Sequence, residues 1–361
     1  MESRKQRSKD RTTRRMAGGV VVLAAIGLLA ASCVSGAPEQ QARPAPGLAA
    51  RAAAPSSFVA AGTRLGVGGC PLFPRDHAFH ADVTHLPVAR DSAAMIAAAG
   101  GTATSFWPGF SAGVWEGSRA GIPVNMIDPA TTTPTDFAVA SIYAAQSQPQ
   151  GVPLPAAPRF EGWPGRAWDR HLLLVDPAAC TSRELINVQL PGENLFASGS
   201  WYADSVVSVN LSSNAALPAA VTASGLSLLS GMVRYDEVAS GDVGHAVAVA
   251  LPMVRDTFVW PARHTDGRTS DPAAPPMGSW FRLRPDADLS GLGPQARVVA
   301  RAMQLHGAVL VDTGPRLTMG GEPDVRWDDQ DLKTLSTLDM GDLDVVDPAP
   351  MQVDPATLQI R

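Results

Sequence analysis

A mainly β fold, of β-sandwich or jelly-roll type with a few covering helices, is the architecture this sequence predicts. Three observations predict it. Apolar stretches are of strand length, and several alternate with polar residues. The 33 Gly and 31 Pro among 361 residues interrupt the chain before long helices can run. A helical apolar period is sustained in one place only. Taking the elements in order, Asp91-Ser92 can cap a short helix over 93–99 that Gly100-Gly101 stops. The stretch 122–162 mixes Pro, Thr and short apolar runs, which reads as brief strands joined by turns. His171-Leu172-Leu173-Leu174-Val175 is a buried-strand pattern. Further strands are expected over 206–211, 245–251, 257–260 and 280–284. The sustained helix follows Pro294, with Val298, Val299, Ala302, Met303 and Leu305 on one face and Gly307 at its end. It feeds a strand over 308–312, and a shorter helix is expected from Asp328. No internal repeat is present.

The N-terminal segment reads as an export signal. Residues 1–16 hold seven Arg or Lys against Glu2 and Asp10, a net of +5 in a chain of −5, so the remainder carries −10. An apolar run over 17–31 follows, too short for a comfortable membrane span. It ends in Leu29-Ala30-Ala31-Ser32-Cys33, small residues and then cysteine. That order resembles a lipoprotein signal spanning 1–33, with Cys33 as the lipidated residue; an ordinary secretory signal cut near Ala31 or Ala37 is the alternative. Residues 34–66, rich in Ala, Pro, Gln and Ser, are expected to be a flexible linker. One β-rich domain over 67–347 and a C-terminal tail over 348–361 complete the organisation.

Composition also excludes. An acidic body argues against nucleic acid as a partner and limits membrane contact to the lipid anchor. Lys333 is the only lysine outside the N-terminal segment, which disfavours Schiff-base chemistry and a P-loop. Nothing in the sequence names a cofactor. Setting Cys33 aside leaves Cys70 and Cys180, an even pair expected to form a disulfide in an oxidising compartment.

Two local motifs are weak. Gly109-Phe110-Ser111-Ala112-Gly113 matches a nucleophile elbow in letters, but Gly113-Val114-Trp115 is a poor start for the helix an elbow needs. His77, His80 and His85 with Asp76 and Asp82 have metal-like spacing. Neither a helix nor a strand puts them on one face, so capping or solvated histidines are expected and no metal site.

More telling are ionisable strings at strand ends: Trp168-Asp169-Arg170-His171, Arg234-Tyr235-Asp236-Glu237, Trp260-Pro261-Ala262-Arg263-His264 and Asp324-Val325-Arg326-Trp327. Each alone reads as surface bridges or helix caps. Together they place Trp168, Trp260, Trp327 and the nearby Trp201, four of eight tryptophans, beside charge. Saccharide clefts use that mixture, flat aromatic faces against sugar rings and carboxylates, Arg or His on hydroxyls. Two catalytic schemes fit. A glycoside hydrolase would use two carboxylates, Glu237 with Asp169, and His171 beside them. A polysaccharide lyase would use His264 or Tyr235 as base with Arg234 or Arg263 neutralising a uronate. The expectation is therefore a cell-surface lipoprotein that binds, and cleaves, a polysaccharide or cell-wall glycan. The alternative is a non-catalytic envelope protein binding glycan or a protein partner.

The same strings carry a resemblance. Trp115-Glu116-Gly117, Gly121-Ile122-Pro123, Asp169-Arg170-His171, Cys180, the run from Arg234 to Val238, His245-Ala246, Trp260-Pro261-Ala262, Arg282-Leu283, Asp312 and Asp324-Val325-Arg326-Trp327 are similar to text shared by a broad group of exported bacterial proteins of high-GC lineages. The likeness covers roughly 70–347. It implies one recurring domain and an extracytoplasmic setting, and brings no activity with it. That group seldom has a serine in the place of Ser111 or the three-histidine cluster.

Overall fold

The computed structural model describes residues 57–60, 65–115, 117–165, 168–194, 199–217 and 221–361. The expected signal with Cys33 and most of the expected linker lie outside them. Ten strands in two sheets carry the fold: β1 (Trp107–Pro108), β2 (Val124–Met126), β3 (Leu172–Asp176), β4 (Thr181–Ile186), β5 (Ser205–Asn210), β6 (Val247–Leu251), β7 (Trp280–Leu283), β8 (Ala308–Thr313), β9 (Thr318–Met319) and β10 (Leu343–Val346). Four α-helices are described, α1 (Ser92–Ala98), α2 (Tyr235–Ser240), α3 (Pro294–Leu305) and α4 (Asp329–Lys333). The protein is mainly β with few helices, as its sequence predicts. Small two-stranded ribbons, such as Thr132–Thr135 with Val152–Pro155, decorate the 122–162 region.

The large sheet has the order β1-β9-β6-β8-β7-β10 and is mixed, with β6 parallel to β8 and β7 antiparallel to both β8 and β10. The small sheet has the order β5-β4-β3-β2. Both faces of each are covered, which is why β3 and β8 read as continuous apolar runs. One face of the large sheet presents Val247, Val249, Phe281, Leu310 and Val345 to α1, α3 and α4. Its other face presents Trp280, Val309 and Val346 to Phe79, Leu226, Met351, Leu358 and Ile360.

That second face corrects two expected boundaries. Phe58 is buried there, its N–H donating to the Arg361 carbonyl at 2.6 Å, so residues 57–60 belong to the body and not to a tether. Met351, Leu358 and Ile360 are buried too, so 348–361 is core-forming chain and no loose tail. Among the described residues no helix is long and apolar enough to cross a membrane.

The helix α3 shows how local signals are completed by distant chain. Pro294 occupies its first turn, where no amide is needed. Asp331 of α4 then accepts hydrogen bonds from the N–H groups of Gln295 and Ala296, both at 2.9 Å, so the helix start is capped from across the fold. Ala296, Val299, Ala300, Ala302 and Met303 form the buried stripe.

Cys70 and Cys180 are joined by a disulfide that closes a loop of 110 residues and ties the segment before β1 to the β3–β4 turn. Reduction is expected to lower stability by roughly 3–5 kcal/mol through the entropy returned to the unfolded chain. Guanidinium unfolding with and without dithiothreitol measures it, and an unchanged midpoint would contradict the assignment.

Candidate functional site

The most site-like feature lies where the two sheets approach each other, and the sequence of β6 explains why a hollow exists there. Val247-Ala248-Val249-Ala250-Leu251 alternates large and small, with Val247, Val249 and Leu251 in the helix-covered core. Ala248 and Ala250 are left on the opposite face, with nothing larger than a methyl group to fill it. Gly109, Gly121, Gly314 and Gly320 also line the space, a cavity of about 580 Å³. A shift of register then delivers a carboxyl group into it. Val249 pairs with Leu310, but Ala250 pairs with Asp312, so Val311 is the extra residue of a bulge in β8. The bulge turns Asp312 onto the same side as Ala250, away from the apolar core where simple alternation from Leu310 would have sent it.

The small sheet supplies the other wall. His171, immediately before β3, is 5% exposed and its ring is held at both nitrogens. Nδ1 lies 2.7 Å from Glu161 Oε2 and Nε2 lies 3.3 Å from the Val221 carbonyl, two acceptors that call for a doubly protonated ring. Burial alone would push the imidazole pKa down, yet Glu161 first, then Asp169 and Asp312, raise it to about 9. At neutral pH His171 is therefore an imidazolium and cannot serve as a base. Asp312 moves the other way for a carboxyl: burial, reinforced by repulsion from Asp266, lifts it to about 7 despite the attraction of His171. Its oxygens accept from the N–H groups of Thr313 at 2.8 Å and, more loosely, Ala223. Asp169 is raised as well, by loss of hydration and then by Glu161 and Asp266, against His171. One side of Asp169 stays in solvent, so its rise carries less weight than that of Asp312.

Two indoles stand at this hollow, Trp107 at 46% and Trp168 at 43% exposure, and the Arg316 guanidinium stacks 4.7 Å from the Trp107 ring centre. The wall at Ser227 and Leu228 is fixed by the fully buried Glu184, which accepts from Ser227 Oγ at 2.5 Å and the Leu228 N–H at 2.8 Å. Carboxylates thus dominate the cavity, with one buried cation among them and aromatic faces at the opening. Such a site can donate a proton from Asp312, hold negative charge on a second carboxylate and pack flat rings.

Of the residues expected to meet here, Trp168, Asp169 and His171 do; the others do not. Glu237 is 1% exposed, accepts from the Arg234 N–H at 3.0 Å, pairs with the Arg234 guanidinium and lies 3.3 Å from His245 Nε2. It starts and anchors α2, and it lines no part of the cavity. Arg234 is taken up further by the carbonyls of Leu65 and Gly66. Tyr235 lies under the Arg326 guanidinium and edge-on to Trp327, which is itself buried and donates to the Glu322 carbonyl. Trp260 stacks on Trp280 and donates to the Thr357 carbonyl, anchoring the C-terminal segment. Trp201 packs on Phe137, and half-buried His264 lies against Gly225. The physical reason is shared: these rings and charges stitch irregular segments to the sheets.

The weaker motifs also resolve. Ser111 Oγ donates to the Gly113 carbonyl at 3.1 Å, and Asp329 of α4 accepts from the Ala112 and Gly113 N–H groups at 2.8 Å. The loop leads into a ribbon, Val114–Trp115 with Ser118–Arg119, and no helix follows. His77 is fully buried, stacked on Phe73, with its pKa lowered to about 3 by burial. Among the described residues no group of His, Cys, Asp and Glu is arranged to hold a metal ion.

Sequence reasoning assigned no role to Glu161, Asp312, Trp107 or Arg316. Two signals pointed toward them: the large–small alternation of β6, which promises a hollow, and a lone acid at the end of the apolar run of β8. With the geometry in hand, comparison of the chain with protein-family models, with curated proteins and with solved structures finds no match.

Proposed function

We propose that the hollow between the sheets binds a saccharide chain and hydrolyses a glycosidic bond. The observation that carries this reading is a carboxyl group whose pKa is lifted to about 7, Asp312, sharing an indole-rimmed hollow with a second carboxyl group, Asp169. Asp312 is the proton donor to the leaving oxygen. Asp169, whose raised pKa the neighbouring imidazolium opposes, acts as the base or nucleophile on the sugar. His171, locked by Glu161, is a positioning residue that supplies fixed positive charge.

A hydrolase fits better than a lyase. A uronate entering this cavity would meet Glu161, Asp169 and Asp312, the rim guanidinium of Arg316 is taken up on the Trp107 ring, and the buried histidine carries no free lone pair to abstract a proton. Placement on the outer side of the cell membrane, through a lipid on Cys33, accompanies the reading; the Cys70–Cys180 disulfide supports an oxidising setting.

The test uses neutral oligosaccharides (cello-, xylo- and chito-oligomers), with tryptophan fluorescence for binding and reducing ends for cleavage. At least one series is expected to bind and be shortened. Trp107→Ala is expected to weaken that binding about tenfold at unchanged melting temperature. Binding without products would favour the non-catalytic alternative, and no response from any series would remove the saccharide reading.

A further inference from the structure

A second cavity, of about 340 Å³, adjoins the first, and Gly121 lines both. Gly121 has φ of +115°, and a Cβ there would stand 2.8 Å from the Gly321 carbonyl oxygen and the Pro323 nitrogen. Only glycine fits, so the divide between the cavities carries no side chain at that point. Phe160 and Glu161, adjacent in the chain, line the second and the first cavity respectively.

The two spaces differ in charge. Where the first holds three carboxyl groups, Glu161, Asp169 and Asp312, against the His171 imidazolium and a rim guanidinium, Arg316, stacked on Trp107, the second is lined by Arg119 and Arg159, both exposed. Each guanidinium gives one bond to a backbone carbonyl, Arg119 Nε to Ala112 and Arg159 Nη2 to Val124, which fixes the fork and leaves other N–H groups for a ligand. Among the described lining residues the carboxylate is Asp324, already held by the Arg326 guanidinium at 2.5 Å. Trp163, 39% exposed and packed on Phe160 with ring centres 5.0 Å apart, offers a flat face for a ring. Exposed Val114 and Val325 also line the opening.

We infer that this second cavity is a subsite for an anionic group, a carboxylate or a phosphate, carried by the same glycan whose neighbouring unit fills the first hollow. The inference rests on the saccharide reading of the first hollow and deepens it. Bidentate guanidinium recognition selects such an oxyanion, and the carboxylates of the first cavity reject it, so the chain is held in one register. The substrate class is an acidic glycan cut at an uncharged unit.

The experiment is calorimetric titration of the protein with three probes: a hyaluronan hexasaccharide, in which uronate and uncharged units alternate, poly(glycerol phosphate) and a neutral cello-oligomer. One anionic probe is expected to bind, and Arg159→Gln to weaken it roughly tenfold while leaving the neutral probe unchanged. Arg159→Lys should restore part of the loss, and Val325→Glu, at a 68% exposed position with no packing role, should weaken the anionic probe alone. The hyaluronan hexasaccharide alone binding assigns the site to carboxylates; poly(glycerol phosphate) alone assigns it to phosphates. If the neutral probe binds and both anionic probes fail, or bind equally well to Arg159→Gln and Val325→Glu, the subsite is overturned and the first hollow keeps its reading. Arginine-dependent anion binding with no effect of Trp107→Ala would instead uphold the subsite and undo the saccharide reading of the first hollow.

Discussion

Replacing Asp312 by Asn is expected to cut glycan cleavage by at least about a hundredfold, the usual scale for a lost general acid, while making the protein more stable at pH 8. Both effects follow from one displacement. The carboxyl pKa is raised from its ordinary value to about 7, chiefly because burial and the nearby Asp266 disfavour the charged form. A carboxyl with a raised folded-state pKa binds protons more tightly when folded. Below about pH 4 it is protonated in both states and costs nothing. As pH rises toward 7 the folded state loses that advantage, and above 7 the whole cost of a desolvated carboxylate is present. Asn removes it and keeps the acceptor for the Thr313 N–H. Since Asp312 is only half-buried, solvent screening reduces the gain to on the order of 2 kcal/mol. Melting curves of both proteins at pH 4 and pH 8 check the sign: coincident at pH 4, with the variant higher at pH 8. A variant that is less stable at pH 8, or that still cleaves, would remove Asp312 from its role.

Such trade-offs are what a site built on destabilised groups should show, and they mark where sequence reasoning ended. Strand-length apolar runs at β3, β5, β6 and β8, and the Pro-to-Gly frame of α3, are local facts, and each element forms within a residue or two of expectation. The disulfide was legible because only two cysteines remained to pair. The site was not, because it depends on contacts between chain segments as distant as Trp107 and Arg316 and on a single-residue bulge in β8. Alternation alone would have placed Asp312 against α3.

Charge strings misled for a related reason. Arg234 to Glu237 has the letters of an active-site cluster, but Arg234 and Glu237 answer each other and His245 in a buried network that starts α2, and Asp236 points outward to Arg326. Tryptophan has the same ambiguity. Trp260 and Trp327 bury their faces to anchor loops, whereas Trp107, Trp163 and Trp168 stay partly exposed at the cavity openings. Which role a given indole takes is decided by the sheet edge or loop that receives it, and neighbouring letters do not report that.

Glu161→Gln is the change expected to reach furthest, since it breaks the pair on which the electrostatics of the cavity rest. Without the Glu161 charge, burial governs His171, and the imidazole pKa should fall from about 9 to below its ordinary value, read directly from ring proton shifts over a pH series. The stability cost should approach the roughly 3 kcal/mol usual for a buried pair deprived of one partner. Its pH dependence follows from the raised folded-state pKa: the stabilisation is fully present below about pH 6.5 and is lost as pH rises through 9. The gap between wild type and variant should therefore be wide at pH 6 and close by pH 10. Catalysis supplies a readout that loss of packing would not produce. The His171 cation holds the Asp312 pKa down, so a neutral ring lets it climb above 7, and the alkaline limb of the pH–rate profile should move upward. A variant that is slower with an unmoved alkaline limb would show that Glu161 and His171 brace the wall without tuning the acid.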